Sequence, residues 1–311
     1  MTVSRAIAVI GEALIDVVEG GDEPPVARPG GSPCNVAIGL ARLDQPVSFI
    51  GRISRDPMGS TLRSHAERSG VDLTHITETD DPSTVAVAHL DESGSAQYRF
   101  GVTGTADFQW TDEELARVPN AFAAVHFGSL ASWLPPGAAA IARRIAAFRD
   151  TGALISYDPN VRPLLQPDRA AAREAIETTL PLAHIVKTSV DDLDWLRPGE
   201  PVEDVAADWL NQGPHVVVVT RGAAGAMAIT KDQTVTRAAV SVDVVDTVGA
   251  GDAFMSGLLD ALARRNLLAH DALASAPLAD LLDDASLVAA ATCAQAGANP
   301  PTRADLASFA R

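Results

Sequence analysis

Cysteine is scarce: Cys34 and Cys293 are the two in 311 residues, and neither belongs to a CxxC pair or stands near a histidine set. A disulfide framework and a zinc site are therefore not encoded, and both thiols are expected as small core residues. Basic residues are also in deficit, 24 Lys plus Arg against 40 Asp plus Glu, for a net charge of −16. With no Lys/Arg run to make a local patch, such a chain repels nucleic acid and anionic membrane. No apolar stretch approaches the roughly eighteen residues of a membrane span. The apolar run at the start is interrupted by Gly11-Glu12, too early for a secretory signal. A cytoplasmic protein without nucleic-acid or membrane partners is expected. GxxxxGK[ST], GxGxxG and GxSxG are all missing, which removes support for a P-loop enzyme, a Rossmann dehydrogenase and a serine hydrolase.

What remains is ample for a core, since 47% of the residues are hydrophobic. Apolar runs at 6–10, 47–50, 123–127, 154–157, 184–186 and 216–219 alternate with helical patterns at 35–43, 59–69, 138–149, 169–180, 202–211 and 252–265. That alternation predicts an α/β fold with a mainly parallel sheet covered on both faces, which binds ligands at the carboxyl ends of its strands. The rhythm breaks at 84–90 and 97–102, two strand-like runs around the polar loop 91–95. With 16–18 they read either as a small sheet standing off the main one or as a plain surface hairpin.

The densest stretch is Asp246-Thr247-Val248-Gly249-Ala250-Gly251-Asp252-Ala253-Phe254. The valines of 242–245 read as the end of a buried strand, and Phe254, Met255, Leu258, Leu259 and Leu262 recur at helical spacing. Gly249, Ala250 and Gly251 let backbone N–H groups approach an anion, at a helix entrance whose first donors lack internal partners. Asp252 is favoured there as an N-cap, and it is equally placed to act as a base beside the anion.

This stretch, followed by Ser256-Gly257, resembles the C-terminal signature of the ribokinase-like (PfkB-type) carbohydrate kinases, most closely bacterial fructokinases, and the resemblance covers nearly the whole chain. It implies a ribokinase-like three-layer α/β/α sandwich over 1–311 as a single domain, with a small β-sheet lid formed by about 14–30 and 84–104. It also implies transfer of the γ-phosphoryl group of ATP to a primary hydroxyl of a free sugar. In that family the aspartate matching Asp252 takes the acceptor's proton, while Gly249, Ala250 and Gly251 form the anion hole.

Further motifs carry the resemblance. Gly30-Gly31-Ser32-Pro33-Cys34-Asn35 is similar to the family's N-terminal motif, in which the glycines give a hinge and close approach and the asparagine bonds sugar hydroxyls. Gly11-Glu12-Ala13-Leu14-Ile15-Asp16 is worded as in bacterial fructokinases and implies Asp16 as a sugar ligand. Asp158-Pro159-Asn160-Val161-Arg162 implies an arginine that reaches substrate, a structural Arg–Asp pair being the alternative; Arg99 is the other candidate for an acidic substrate. Thr220-Arg221-Gly222-Ala223-Ala224-Gly225 resembles the nucleotide loop, so Thr220, Gly222 and Gly225 are expected at the phosphates, joined by Lys187, Ser189, Gly249 and Gly251. Where the family has Asn-x-x-Glu, this chain has Ser189 and Asp192, the latter a candidate for Mg²⁺. The segment 293–300 resembles the flank of the adenine pocket and contributes Asn299. Main-chain carbonyls at Asp246 and Val248 are the candidate K⁺ site. A homodimer through the lid, 2-keto-3-deoxygluconate kinase, ribokinase or nucleoside kinase activity, and a catalytically silent sugar-binding regulator complete the expectations.

Overall fold

The computed structural model describes residues 6–20, 23–90, 96–165 and 168–309. Its strands are β1 (Ile7–Ile10), β2 (Leu14–Gly20), β3 (Glu23–Gly30), β4 (Val47–Ile50), β5 (Arg52–Ser54), β6 (Thr77–Thr79), β7 (Val85–Leu90), β8 (Ala96–Gly101), β9 (Ala124–Gly128), β10 (Leu154–Asp158), β11 (Ile185–Ser189), β12 (Val216–Thr220), β13 (Ala226–Ile229) and β14 (Thr234–Arg237). The helices are α1 (Ser32–Arg42), α2 (Pro57–Arg68), α3 (Asp112–Ala116), α4 (Ala138–Asp150), α5 (Arg169–Thr179), α6 (Val190–Leu196), α7 (Val202–Leu210), α8 (Ala250–Arg264), α9 (Leu278–Cys293) and α10 (Arg303–Phe309).

Strands rich in β-branched residues, with little polar side chain on either face, can only sit in a sheet covered twice. The eight-stranded sheet runs β14-β13-β12-β11-β10-β9-β1-β4. Every pairing from β4 to β12 is parallel, and β13 and β14 close one edge as an antiparallel hairpin. Alternate residues of one strand feed two cores. Val217 and Val219 pack with Phe148, Ile176 and Trp209 from α4, α5 and α7. Val216 and Val218 pack with Ile38, Leu62, Leu258 and Leu282 from α1, α2, α8 and α9. This is the three-layer α/β/α arrangement.

The second sheet, β3-β2-β7-β8, has four strands and stands apart from the first in pairing. Thus 84–90 and 97–102 are not a lone hairpin: β7 pairs in parallel with β2, so Ile15 lies opposite Val85 and Asp16 opposite Ala86. Among the described residues no helix is long and apolar enough to cross a membrane.

Two local readings need correction. Residues 242–245 form no strand, and Val244 and Val245 are 62% and 63% exposed. The sheet has already ended at β14, so no described strand pairs with them, and the chain passes irregularly to α8. The longest helix, α9, was absent from the expected set because its apolar positions are interleaved with acids. It buries Leu278, Leu281, Leu282, Ala285 and Val288 against α8 and the sheet.

Candidate active site

The carboxyl ends of the parallel strands converge on one edge, where Glu12 follows β1, Asp158 ends β10, Ser189 ends β11 and Thr220 ends β12. The N-termini of α1 and α8 point into the same edge. Gly31 caps α1 at φ 99°, and a Cβ there would lie 2.6 Å from the Glu12 carbonyl oxygen. A Cβ on Gly30 would lie 2.1 Å from Oδ2 of Asp16. The paired glycines thus let the β1–β2 connection and the start of α1 share one space.

At α8, Gly249 occupies the left-handed region at φ 78°, and a Cβ on it would meet that of Ala298 at 2.7 Å. The turn is knitted by Ala250 N–H to the Thr247 carbonyl and Ala253 N–H to that of Gly249. Asp252 is not the N-cap, because Gly249 fills that position and no side chain caps the helix. Instead its carboxylate faces α1: Ser32 Oγ donates to Oδ1 at 2.6 Å and Asn35 Nδ2 donates to Oδ2 at 2.8 Å. Burial pushes its pKa upward, and these two bonds and the Lys187 charge oppose the shift.

Lys187 is the second charged group at the turn. Its Nζ lies 3.0 Å from where a Cβ on Gly251 would stand, and it donates to Asp158 Oδ2 at 2.7 Å. Burial alone would lower the ammonium's pKa, but Asp158 beside it outweighs that and the net direction is upward. The result is a cation held next to the turn that opens α8.

A cavity of about 1170 Å³ opens from this point and is lined by Arg162, Lys187, Ser189, Asp192, Thr220, Gly222, Gly225, Ala250 and Gly251 among others. Val242 and Val244 form part of its wall, which accounts for the exposure of Val244. Cys293 also lines it and is only partly buried, whereas Cys34 is a core thiol as expected. Ser189 and Asp192 form a capping box on α6, with Asp192 also accepting the Val161 N–H. Burial and the neighbouring Asp158 push the Asp192 carboxyl upward.

Asp16 sits at the small-sheet side. Burial raises its pKa to about 6, with Arg162 lowering it and Asp252 raising it. Arg162 is exposed, donates to the Asn160 side chain and the Val161 carbonyl, and has no carboxylate within ion-pair distance among the described residues. Among the described residues the Arg–Asp pair considered as its alternative does not form.

Of the remaining expected residues, one falls outside the cavity. Asn299 is outside the cavity's lining, its side chain taken up by Arg42 and Gln295. Arg99 lies on β8 opposite Val87, but its side chain lies outside the described residues. Asp246 spends its carboxylate on the Val248 and Gly297 N–H groups, and Val245 and Asp246 donate to the Cys293 carbonyl. These bonds fasten the two loops that a main-chain cation site would share. Among the described residues no three His, Cys, Asp or Glu form a metal-ligand cluster. Ser32 and Asp158 are contacts that local reading overlooked as partners. Ser32 carried no usable signal, while a lysine inside the buried strand Ile185–Ser189 implied a buried acid.

A buried carboxylate beside a glycine-rich helix entrance, a cation behind it, a large cavity on one side and a small sheet on the other are the parts that phosphoryl transfer to a small polar acceptor requires. The model of the pfkB family carbohydrate kinases matches residues 4–305, and the chain belongs to that family. It is 37% identical over 273 residues to a fructokinase of Rhizobium leguminosarum bv. trifolii, covering 86% of this chain and 83% of that one. Among solved structures, a fructokinase of Xylella fastidiosa with bound ATP has a TM-score of 0.88 at 26% identity, covering 98% of each chain. A double-mutant fructokinase of Vibrio cholerae O395 in its fructose-, ADP- and potassium-bound form has a TM-score of 0.85 at 27% identity, again covering 98% of each chain. The chain is a carbohydrate kinase.

Proposed function

We propose that the protein transfers the γ-phosphoryl group of ATP to a primary hydroxyl of a free sugar, converting fructose to fructose 6-phosphate. The observation that carries this reading is the bridge from Asp252 to Ser32 and Asn35. It holds a base where the anion turn of α8 meets the glycine pair and Asp16. Sugar hydroxyls would be accepted by Asp16 and met by Asn35, with Gly30 and Gly31 leaving room for the ring. The nucleotide would occupy the cavity with its phosphates toward Thr220, Gly222, Gly225 and the α8 turn. Asp252 would accept the proton as the hydroxyl attacks, while the Gly249, Ala250 and Gly251 backbone and the Lys187 ammonium balance charge on the moving phosphoryl group.

A Mg²⁺ ion arriving with the nucleotide would neutralise phosphate charge, its remaining ligands being water, with Asp192 on the cavity wall to hold one of them. The fastened loops around Asp246 and Gly297 suit a K⁺ ion bound by main-chain oxygens. The small sheet would act as a lid that excludes water during transfer, and its outer strands β3 and β8 would offer edges for a homodimer.

A coupled ADP-release screen over fructose, ribose, 2-keto-3-deoxygluconate, adenosine and inosine tests the assignment, with the highest kcat/KM expected for fructose. Turnover of the sugar acid without fructose would replace it, and no turnover on any of them would favour a silent sugar-binding protein.

The sugar-binding role of Asp16 has its own pH signature. As pH falls through about 6 its carboxylate is protonated and loses hydroxyl-accepting capacity. The sugar KM should therefore rise, by about tenfold near pH 5, and Asp16→Asn should carry a high KM with that dependence removed. A pH-independent sugar KM in the unaltered protein would exclude Asp16 as a ligand.

A further inference from the structure

Ser32 opens α1, yet its hydroxyl does nothing for that helix, which has no side-chain cap bond. It reaches 220 positions along the chain to Oδ1 of Asp252 at 2.6 Å. Ser32 is 9% exposed, so water has little access to take its place. With Asn35 on the other oxygen, both oxygens of Asp252 are held by donors from one helix.

We propose that Ser32 is a positioning residue for phosphoryl transfer, its bond holding the Asp252 carboxylate ready to take the acceptor's proton. The inference rests on the reading of Asp252 as the base and deepens it. An enclosed carboxylate is driven toward its neutral form, and a neutral acid cannot take a proton. The groups acting on it come from several elements: Lys187 on β11 and Asp158 on β10, and Asp16 on β2 and Cys34 on α1, which both feel its charge. The ionised form is favoured by Ser32, Asn35 and the Lys187 charge, and the Ser32 bond is the shorter of the two hydrogen bonds, 2.6 Å against 2.8 Å. A hydroxyl suits this task because it can donate to the carboxylate without adding a charge that would compete with Lys187 for the phosphoryl group.

The test is the pH dependence of kcat/KM for the sugar in the wild type, Ser32→Ala and Ser32→Thr. Loss of the donor destabilises the ionised form, so the acidic limb in Ser32→Ala should move up by about one pH unit. Turnover below the limb then falls about tenfold while the plateau changes much less, and Ser32→Thr returns the limb toward its original place. The shift should persist in an Asp16→Asn background. A limb that does not move, a uniform loss at every pH, or a shift that vanishes in that background overturns the proposal. Near-normal turnover of Asp252→Asn would instead remove the base itself, so the two failures are read separately.

Discussion

Asp252→Asn should lower kcat by about 10²–10⁴-fold, the range that a positioned general base contributes, while sugar and nucleotide binding change little. Asn keeps the shape of the side chain and an oxygen that can still accept from Ser32 or Asn35, so the start of α8 should keep its geometry. What it cannot do is take a proton. Because Gly249 and not Asp252 is the N-cap of α8, the substitution removes no helix cap. That separates this prediction from the stability effect expected of a capping aspartate. The measurement is steady-state kinetics beside direct titration of ligand binding. A kcat within a few-fold of the original would take Asp252 out of the mechanism.

Lys187→Met should damage both stability and turnover, and a double substitution separates the two. Lys187 and Asp158 have side chains only 6% and 2% exposed and meet at 2.7 Å. Removing one partner of a buried pair leaves an uncompensated charge and costs about 3–5 kcal/mol, to be read by denaturant unfolding. Since the Lys187 pKa is raised above its ordinary 10.5, the pair contributes throughout neutral pH and is lost only as pH climbs past that range. Adding Asp158→Asn should recover much of the stability, because the stranded charge is gone. Turnover should stay down about 10²–10³-fold, the order seen when one preorganised electrostatic contact is removed. Recovery of turnover along with stability would make Lys187 a structural residue and no part of the transfer.

The turn into α8 was legible because its determinants are contiguous: small residues, left-handed backbone and carboxylate occupy neighbouring positions and depend on local conformation alone. The alternating sheet was legible for a similar reason, since each strand's composition reports whether both of its faces are covered. The strand expected at 242–245 does not form: β-branched residues suit a strand and the wall of a cavity equally, and Val242 and Val244 take the second place. Only the presence or absence of a pairing partner distinguishes them. Asn299 was placed by its neighbours in sequence, but in the fold its amide is occupied by Arg42 and Gln295.

Composition and local pattern were enough for the layered α/β architecture and for the glycine-rich turn that opens α8, with the aspartate proposed here as its base. The arrangement of that base was not available from them. Asp252 held by Ser32 and Asn35, Lys187 neutralised by Asp158, and Asp16 lying against Gly30 are all contacts between segments distant in the chain. Such contacts exist only after the sheet has brought its strand ends to one edge and shut water out. Burial then makes a single hydrogen bond or ion pair decide a protonation state, a consequence of the folded environment that no local run of residues contains.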